Sequence, residues 1–123
     1  MKKKIILSLP TFKDERGFLT VLEDFLPFPI ARTYWIYGVN GLKRGGHRHK
    51  QTRQALISLC GEVKLDIKNG EEQESLILNK PSSCIIIEPE DWHTMTFSQN
   101  SILIVFASHK YNKDDYIYTP YKD

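Results

Sequence analysis

Two cysteines in 123 residues are too few for a disulfide-stapled scaffold. Cys60 and Cys84 both sit within apolar runs, which suits buried free thiols in a reducing compartment, so the cytoplasm is the expected location. No apolar run approaches the ~20 residues that span a bilayer, and no membrane partner is expected. Lys2-Lys3-Lys4 followed by Ile5-Ile6-Leu7 resembles the opening of a secretion signal. The run stops at Pro10 without a small-residue cleavage site, so Ile5 to Leu9 reads as a first strand instead. An excess of one charge is also missing. The 17 basic and 15 acidic residues are interspersed and leave +2, which gives no field that would gather nucleic acid. Internal repeats and low-complexity linkers are absent, and no segment of useful length carries a helical period before a short turn near Lys113.

What is present is strand and turn. Asp14-Glu15-Arg16-Gly17 makes a turn into Phe18 to Glu23. Pro27-Phe28-Pro29 then breaks the chain before Ala31 to Val39, a run heavy in β-branched and aromatic residues. Asn40-Gly41 marks a turn. Gln54 to Cys60 and the alternation Val63-Leu65-Ile67 flank Gly61, and Asn69-Gly70 is the strongest hairpin signal in the chain. Glu74 to Leu78, Cys84 to Ile87, His93 to Phe97 and Ile102 to Ala107 follow at short spacing, divided by Pro81, Pro89 and Gln99-Asn100. Many short strands at regular intervals predict one all-β domain over residues 1–123, a barrel or double-sheet jelly roll.

Three of the four histidines fall inside two motif-like stretches, Arg44-Gly45-Gly46-His47-Arg48-His49 and Trp92-His93. Histidines at i and i+2 of a strand share a face, so His47 and His49 project together into whatever cavity the sheet encloses, while Arg48 points away. The glycines ahead of them permit close backbone approach. A scattered histidine is more often a surface or packing residue, but an inward pair preceded by an arginine can be an active site. His109 lies outside these stretches and is assigned no function.

His47-x-His49, Gln54 and Gly61 resemble the first cupin motif, in which a glutamate occupies the Gln54 position. Pro89-x-x-x-His93 resembles the second, with Phe97 where an asparagine is usual. Cupins use three histidines and the glutamate as metal ligands inside a jelly roll. A neutral amide is a poor ligand for a transition metal. Three histidines can still hold zinc with an open fourth position. No metal and no cofactor are expected, which leaves His47 and His49 as acids and bases near neutral pH.

A longer ordered set narrows the resemblance. Asp14-x-Arg16-Gly17-x-Leu19, Glu23, Pro27-Phe28, Ile30-x-Arg32-x-Tyr34, Arg44-Gly45-x-His47-x-His49-Lys50, Gln54, Pro89-x-x-Trp92-His93, Ala107-Ser108 and Tyr111 through Asp115-Tyr116-Ile117 look like the WxcM-like nucleotide-sugar 3,4-ketoisomerase family. Two departures are local. Arg48 stands where a small alanine is usual, and the tail continues Tyr118-Thr119-Pro120 instead of Arg-Asp-Tyr.

The resemblance implies a cofactor-independent isomerase of dTDP-4-keto-6-deoxyglucose that supplies a 3-keto sugar for deoxyamino-sugar and surface-polysaccharide synthesis. It also implies a homodimer, with Ile5-Ile6-Leu7 as the segment exchanged between copies. Moving the ketone from C4 to C3 needs two groups that donate and accept protons on one side of an enediol(ate), and His47 and His49 are that kind of pair. Spacing does not set which imidazole serves carbon; His49 is the preferred C3 base and His47 its partner. Arg44 is expected at the diphosphate or the enediolate, and Arg32 and Tyr34 on one strand face toward the nucleotide. Trp92 and His93 are expected beside the sugar, with packing an equal alternative for His93. Arg16 is expected at the sugar's C4 face, where it favours the galacto product, and Lys50 and Gln54 are further substrate contacts. A nucleotide-sugar 3,5-epimerase, a metal-dependent cupin and a non-catalytic sugar-binding cupin stay open as alternatives.

Overall fold

Strict alternation of apolar and polar residues builds two faces that must be buried against each other. The computed structural model describes residues 4–122. Its strands are β1 (Leu7–Ser8), β2 (Thr11–Asp14), β3 (Gly17–Thr20), β4 (Arg32–Tyr37), β5 (Lys43–His49), β6 (Gln54–Cys60), β7 (Val63–Asn69), β8 (Glu72–Leu78), β9 (Ser83–Ile87), β10 (Trp92–Phe97), β11 (Ile102–Ala107) and β12 (Tyr116–Ile117). A 3₁₀ turn at Lys113–Asp115 precedes the last of these, where a short terminal turn was expected. One sheet runs β1-β9-β6-β11-β4, the other β12-β5-β10-β7-β8, and β2 and β3 form a separate hairpin. Every pairing is antiparallel, as the all-β jelly-roll expectation requires. Among the described residues no helix is long and apolar enough to cross a membrane.

The core lies between the two sheets. Val63, Leu65 and Ile67 of β7 and Met95 and Phe97 of β10 face Leu56, Ile85, Ile87, Leu103 and Val105 from the other sheet. Each fully buried side chain of this size contributes roughly 1.5–3 kcal/mol. Along β10 the same inward face continues from Phe97 and Met95 to His93, so one end of the interior changes from apolar to imidazole. A second cluster lies outside the first sheet, where Leu22, Phe25, Leu26 and Phe28 cover Leu9, Ala55, Ile57 and Cys84.

Some expectations shift by a few residues. The first strand is Leu7–Ser8, paired with β9 of its own chain, while Ile5 and Ile6 are exposed; Lys2 and Lys3 lie outside the described residues. Phe18 to Glu23 shortens to β3 because the chain leaves the hairpin to lay Leu22 on the outer cluster. The Asn69-Gly70 hairpin forms with Asn69 already paired to Glu72, so Gly70-Glu71 is the loop and Gly70 alone supplies the positive φ, at 65°. Cys84 is buried as expected, but Cys60 is exposed, because β6 runs past the edge of the core in its last two residues.

Candidate active site

Two consecutive glycines set the position of the histidine pair. Gly45 and Gly46 both take positive φ, at 90° and 79°. The ladder between β5 and β10 slips by one residue there, pairing Gly45 with Thr94 and His47 with His93. A Cβ on Gly45 would stand 2.8 Å from the His93 carbonyl oxygen, so the close approach demands glycine. The bulge thereby places His47, His49 and His93 on one inward face. Ring centroids are 4.9 Å apart for His47 and His49, 4.9 Å for His47 and His93, and 6.2 Å for His49 and His93.

Each imidazole has a different environment. His49 is buried, and its Nδ1–H donates to Asp115 Oδ2 at 2.8 Å. Asp115 reaches it because Asn112 caps the 3₁₀ turn and β12 pairs Tyr116 with His49. The same carboxylate accepts from the Thr52 hydroxyl at 2.5 Å and from the Gln51 backbone N–H at 2.8 Å. Burial alone would raise the Asp115 pKa, but these hydrogen bonds outweigh it and hold the group below the usual carboxylate range. Burial pushes His49 down, and the hydrogen bond and charge of Asp115 recover only part of that shift. Its Nε2 is buried and has no hydrogen-bond partner among the described residues.

His93 donates Nδ1–H to the Asp91 carbonyl at 3.0 Å, which leaves Nε2 as its basic nitrogen. Asp91 is itself fixed by the Glu88 N–H at 2.8 Å, Asn69 Nδ2 at 2.9 Å and Lys4 Nζ at 2.5 Å. Burial lowers the His93 pKa to about 4. His47 is lowered to about 3, first by burial and then by the neighbouring His93 and His49. All three rings are therefore neutral bases at pH 7.

His47 is the one of the three that lines an open groove of about 600 Å³. Arg32, Lys43 and Arg44 line it as well, and among the described residues no acidic one does, so the groove suits an anion. Tyr34, Tyr116 and Tyr118 form its aromatic wall. The Arg32 guanidinium lies 4.4 Å above the Tyr34 ring and 5.4 Å from that of Tyr111. Gln54 Nε2 donates to the Tyr34 hydroxyl at 2.9 Å, and burial raises the Tyr34 pKa.

The cupin metal arrangement does not fit these residues. Gln54, at the position of the fourth ligand, turns its amide to Tyr34. His47, His49 and His93 share a face, but among the described residues no group of three or more His, Cys, Asp or Glu side chains is disposed to hold a metal ion.

Of the residues singled out in the sequence, Arg32, Tyr34, Arg44 and His47 line the groove, and His49, Gln54 and His93 lie behind them. Three others stand apart. Arg16 is on the β2–β3 turn, exposed and paired with Asp14. Lys50 has an exposed side chain and gives only its backbone N–H, to the Asp115 carbonyl at 2.9 Å. Trp92 alternates with His93 onto the far face of the sheet, where it lines a cleft with Asp66, Lys68 and Gln73. Asp115, Thr52, Tyr116 and Tyr118 belong to the site without having been assigned roles. The Asp115-Tyr116-Ile117 run was visible, but nothing in its spacing says that it pairs with β5.

Known proteins resemble this chain in sequence and in fold. The family model described as FdtA: WxcM-like, C-terminal matches residues 1–123. The TDP-4-oxo-6-deoxy-alpha-D-glucose-3,4-oxoisomerase of Aneurinibacillus thermoaerophilus is 33% identical over 121 residues, covering 95% of this chain and 86% of that protein. Among solved structures, the sugar 3,4-ketoisomerase QdtA of Thermoanaerobacterium thermosaccharolyticum in complex with TDP is 35% identical, with a TM-score of 0.91 over 97% of this chain and 90% of its own. A 3,4-ketoisomerase of Helicobacter canadensis is 36% identical, with a TM-score of 0.90 over 94% of this chain and 90% of its own. The match to the family model and the curated relative agree, and the chain belongs to the FdtA, WxcM-like family.

Proposed function

We propose that this protein is a 3,4-ketoisomerase that converts TDP-4-keto-6-deoxyglucose to the 3-keto isomer. The observation that carries this is a pair of neutral imidazoles, one in the groove and one backed by a buried carboxylate, beside three cations. The reaction removes the C3 proton, delocalises the electron pair into the C4 carbonyl as an enediolate, and returns a proton to C4. The O3 proton is lost as the C3 carbonyl forms, and O4 gains one. Substrate and product are isomers, so no oxidant or reductant enters.

His47 lines the groove, which supports assigning it to carbon and His49 to the oxygens, the reverse of the preference drawn from sequence. A weakly basic imidazole gains basicity when an anionic enediolate forms against it, and its imidazolium then returns the proton readily to C4. His49 exchanges protons through Nε2 while Asp115 stabilises its charged form. Arg32, Lys43 and Arg44 bind the diphosphate, and Arg44 also offsets the enediolate charge. Tyr34, oriented by Gln54, donates its hydroxyl toward the sugar. His93 packs against His47 and fixes its ring.

The protein works as a cytoplasmic homodimer. Phe12, Phe18 and Leu19 on the β2–β3 hairpin are 60–72% exposed, and Trp35 and Tyr37 present a further apolar face on β4. Arg16 on that hairpin, Lys50 and Trp92 lie away from the groove in a single chain. Light scattering reads the assembly directly.

NMR of TDP-4-keto-6-deoxyglucose incubated with the purified protein tests the reaction. A new 3-keto sugar supports the isomerase. Inversion at C5 makes the protein an epimerase, and turnover only with added divalent metal makes it a metal-dependent cupin.

A further inference from the structure

Arg48 of β5 and the C-terminal tail touch one another. Arg48 points away from His47 and His49 and packs under the C-terminal tail, its Cζ 4.1 Å from the centre of the Tyr121 ring. Its Nη1 lies 3.4 Å from Glu90 Oε2, and the Tyr121 hydroxyl donates to the Glu90 carbonyl at 2.8 Å. The tail is thus pinned at both ends of a short span. One anchor is the pairing of Ile117 with Arg48 in β12, and the other is Tyr121 on Arg48 and Glu90.

Tyr118 is held between the two anchors. It lines the groove with its ring centroid 6.1 Å from that of His47, and stacks on Tyr116 at 6.0 Å with 17° between the planes. Yet 68% of it is exposed. A large aromatic ring fixed at the mouth of a groove, backed on one side and open on the other, offers a flat face to whatever enters. His47 marks the end of the groove where the reacting carbons must sit, and Tyr118 stands beside it.

We propose that Tyr118 is a substrate-contacting residue that covers the hexose ring and shields it from water, and that Arg48, Glu90 and Tyr121 form the clamp that positions it. This rests on the ketoisomerase reading for the identity of the hexose. Tyr118 packs its ring on the C–H face of the pyranose and makes no contact with the nucleoside diphosphate.

Calorimetric titration with TDP and with TDP-glucose separates the two halves of the ligand. Tyr118→Ala weakens TDP-glucose about tenfold and leaves TDP unchanged, whereas Tyr118→Phe, which keeps the ring, retains most of the affinity. Arg48→Ala and Tyr121→Ala each give a smaller loss of the same selective kind. Their double variant is no worse than the worse single one, because both remove one clamp. In turnover, Tyr118→Ala raises KM more than it lowers kcat. An equal loss for both ligands, or no loss for either, overturns the proposal. Wild-type protein that binds both ligands without turning over the 4-keto sugar removes the ketoisomerase reading and leaves the Tyr118 contact to stand on its selective loss. Wild-type protein that binds neither removes both.

Discussion

His49 Nδ1 and Asp115 Oδ2 lie 2.8 Å apart, both side chains 3% exposed, at positions 66 residues apart in the chain. The pair fixes the His49 tautomer and leaves Nε2 without a partner among the described residues. Replacing the carboxylate by an amide keeps the shape and removes the charge. Asp115→Asn is expected to lower kcat by about 10²-fold, the lower end of what one positioned acid–base group contributes. Because Asp115 raises the His49 pKa, the variant's His49 titrates at lower pH than in the wild type, which an NMR titration of the ring protons follows.

Gly45 and Gly46 share positive φ but differ in surroundings. Gly45→Ala drives its Cβ to within 2.8 Å of the His93 carbonyl, whereas a Cβ on Gly46 meets none of the described residues within 4 Å. Gly46→Ala should cost about 1 kcal/mol of backbone strain and Gly45→Ala about 2–3 kcal/mol, with added loss of activity as β5 moves from β10. Urea unfolding ranks the two, and equal destabilisation would contradict the contact.

Acid should destabilise this fold in a defined window. His47 and His93 have folded pKa values lowered to about 3 and about 4, against 6.5 for the unfolded chain. Between these limits the unfolded state binds more protons, so stability rises with pH there and is lost as pH falls from about 6.5 toward 4. Melting temperatures at pH 7.5 and pH 5 measure it, and the drop should be smaller in His93→Gln. A flat profile would show that the rings titrate normally.

Asp91 gathers three donors at the foot of His93, among them Lys4, whose side chain is 12% exposed. Asp91→Ala leaves that cation uncompensated and should destabilise by about 3 kcal/mol. It also loosens the carbonyl that fixes the His93 tautomer. The double variant with Lys4→Met should recover part of the stability, measured by denaturant unfolding.

The sheets were legible because their alternation is local. Gln54–Cys60 and Ile102–Ala107 follow from pattern alone, as does the shared face of His47 and His49. Asp115 was not legible as a partner of His49, since the contact depends on a two-residue strand with no pattern of its own. Cys60 misled because an apolar run continues past the point where the core ends. Arg48 was rightly turned from the cavity by alternation, but its meeting with Tyr121 needs the path of the tail. Arg16 and Trp92 were drawn into the site by motif, while the hairpin and the sheet face carry them elsewhere in a single chain.

The central claim is that the histidine pair moves the proton. It is tested most directly by deuterium incorporation in D₂O, at C3 of TDP-4-keto-6-deoxyglucose and at C4 of the 3-keto product, with wild type, His47→Asn and His49→Asn compared. Wild type should place deuterium in the ring as the 3-keto product forms. Each variant should lose at least about 10²-fold in that rate while still binding TDP. Exchange at the wild-type rate in both variants would mean that another group carries the proton.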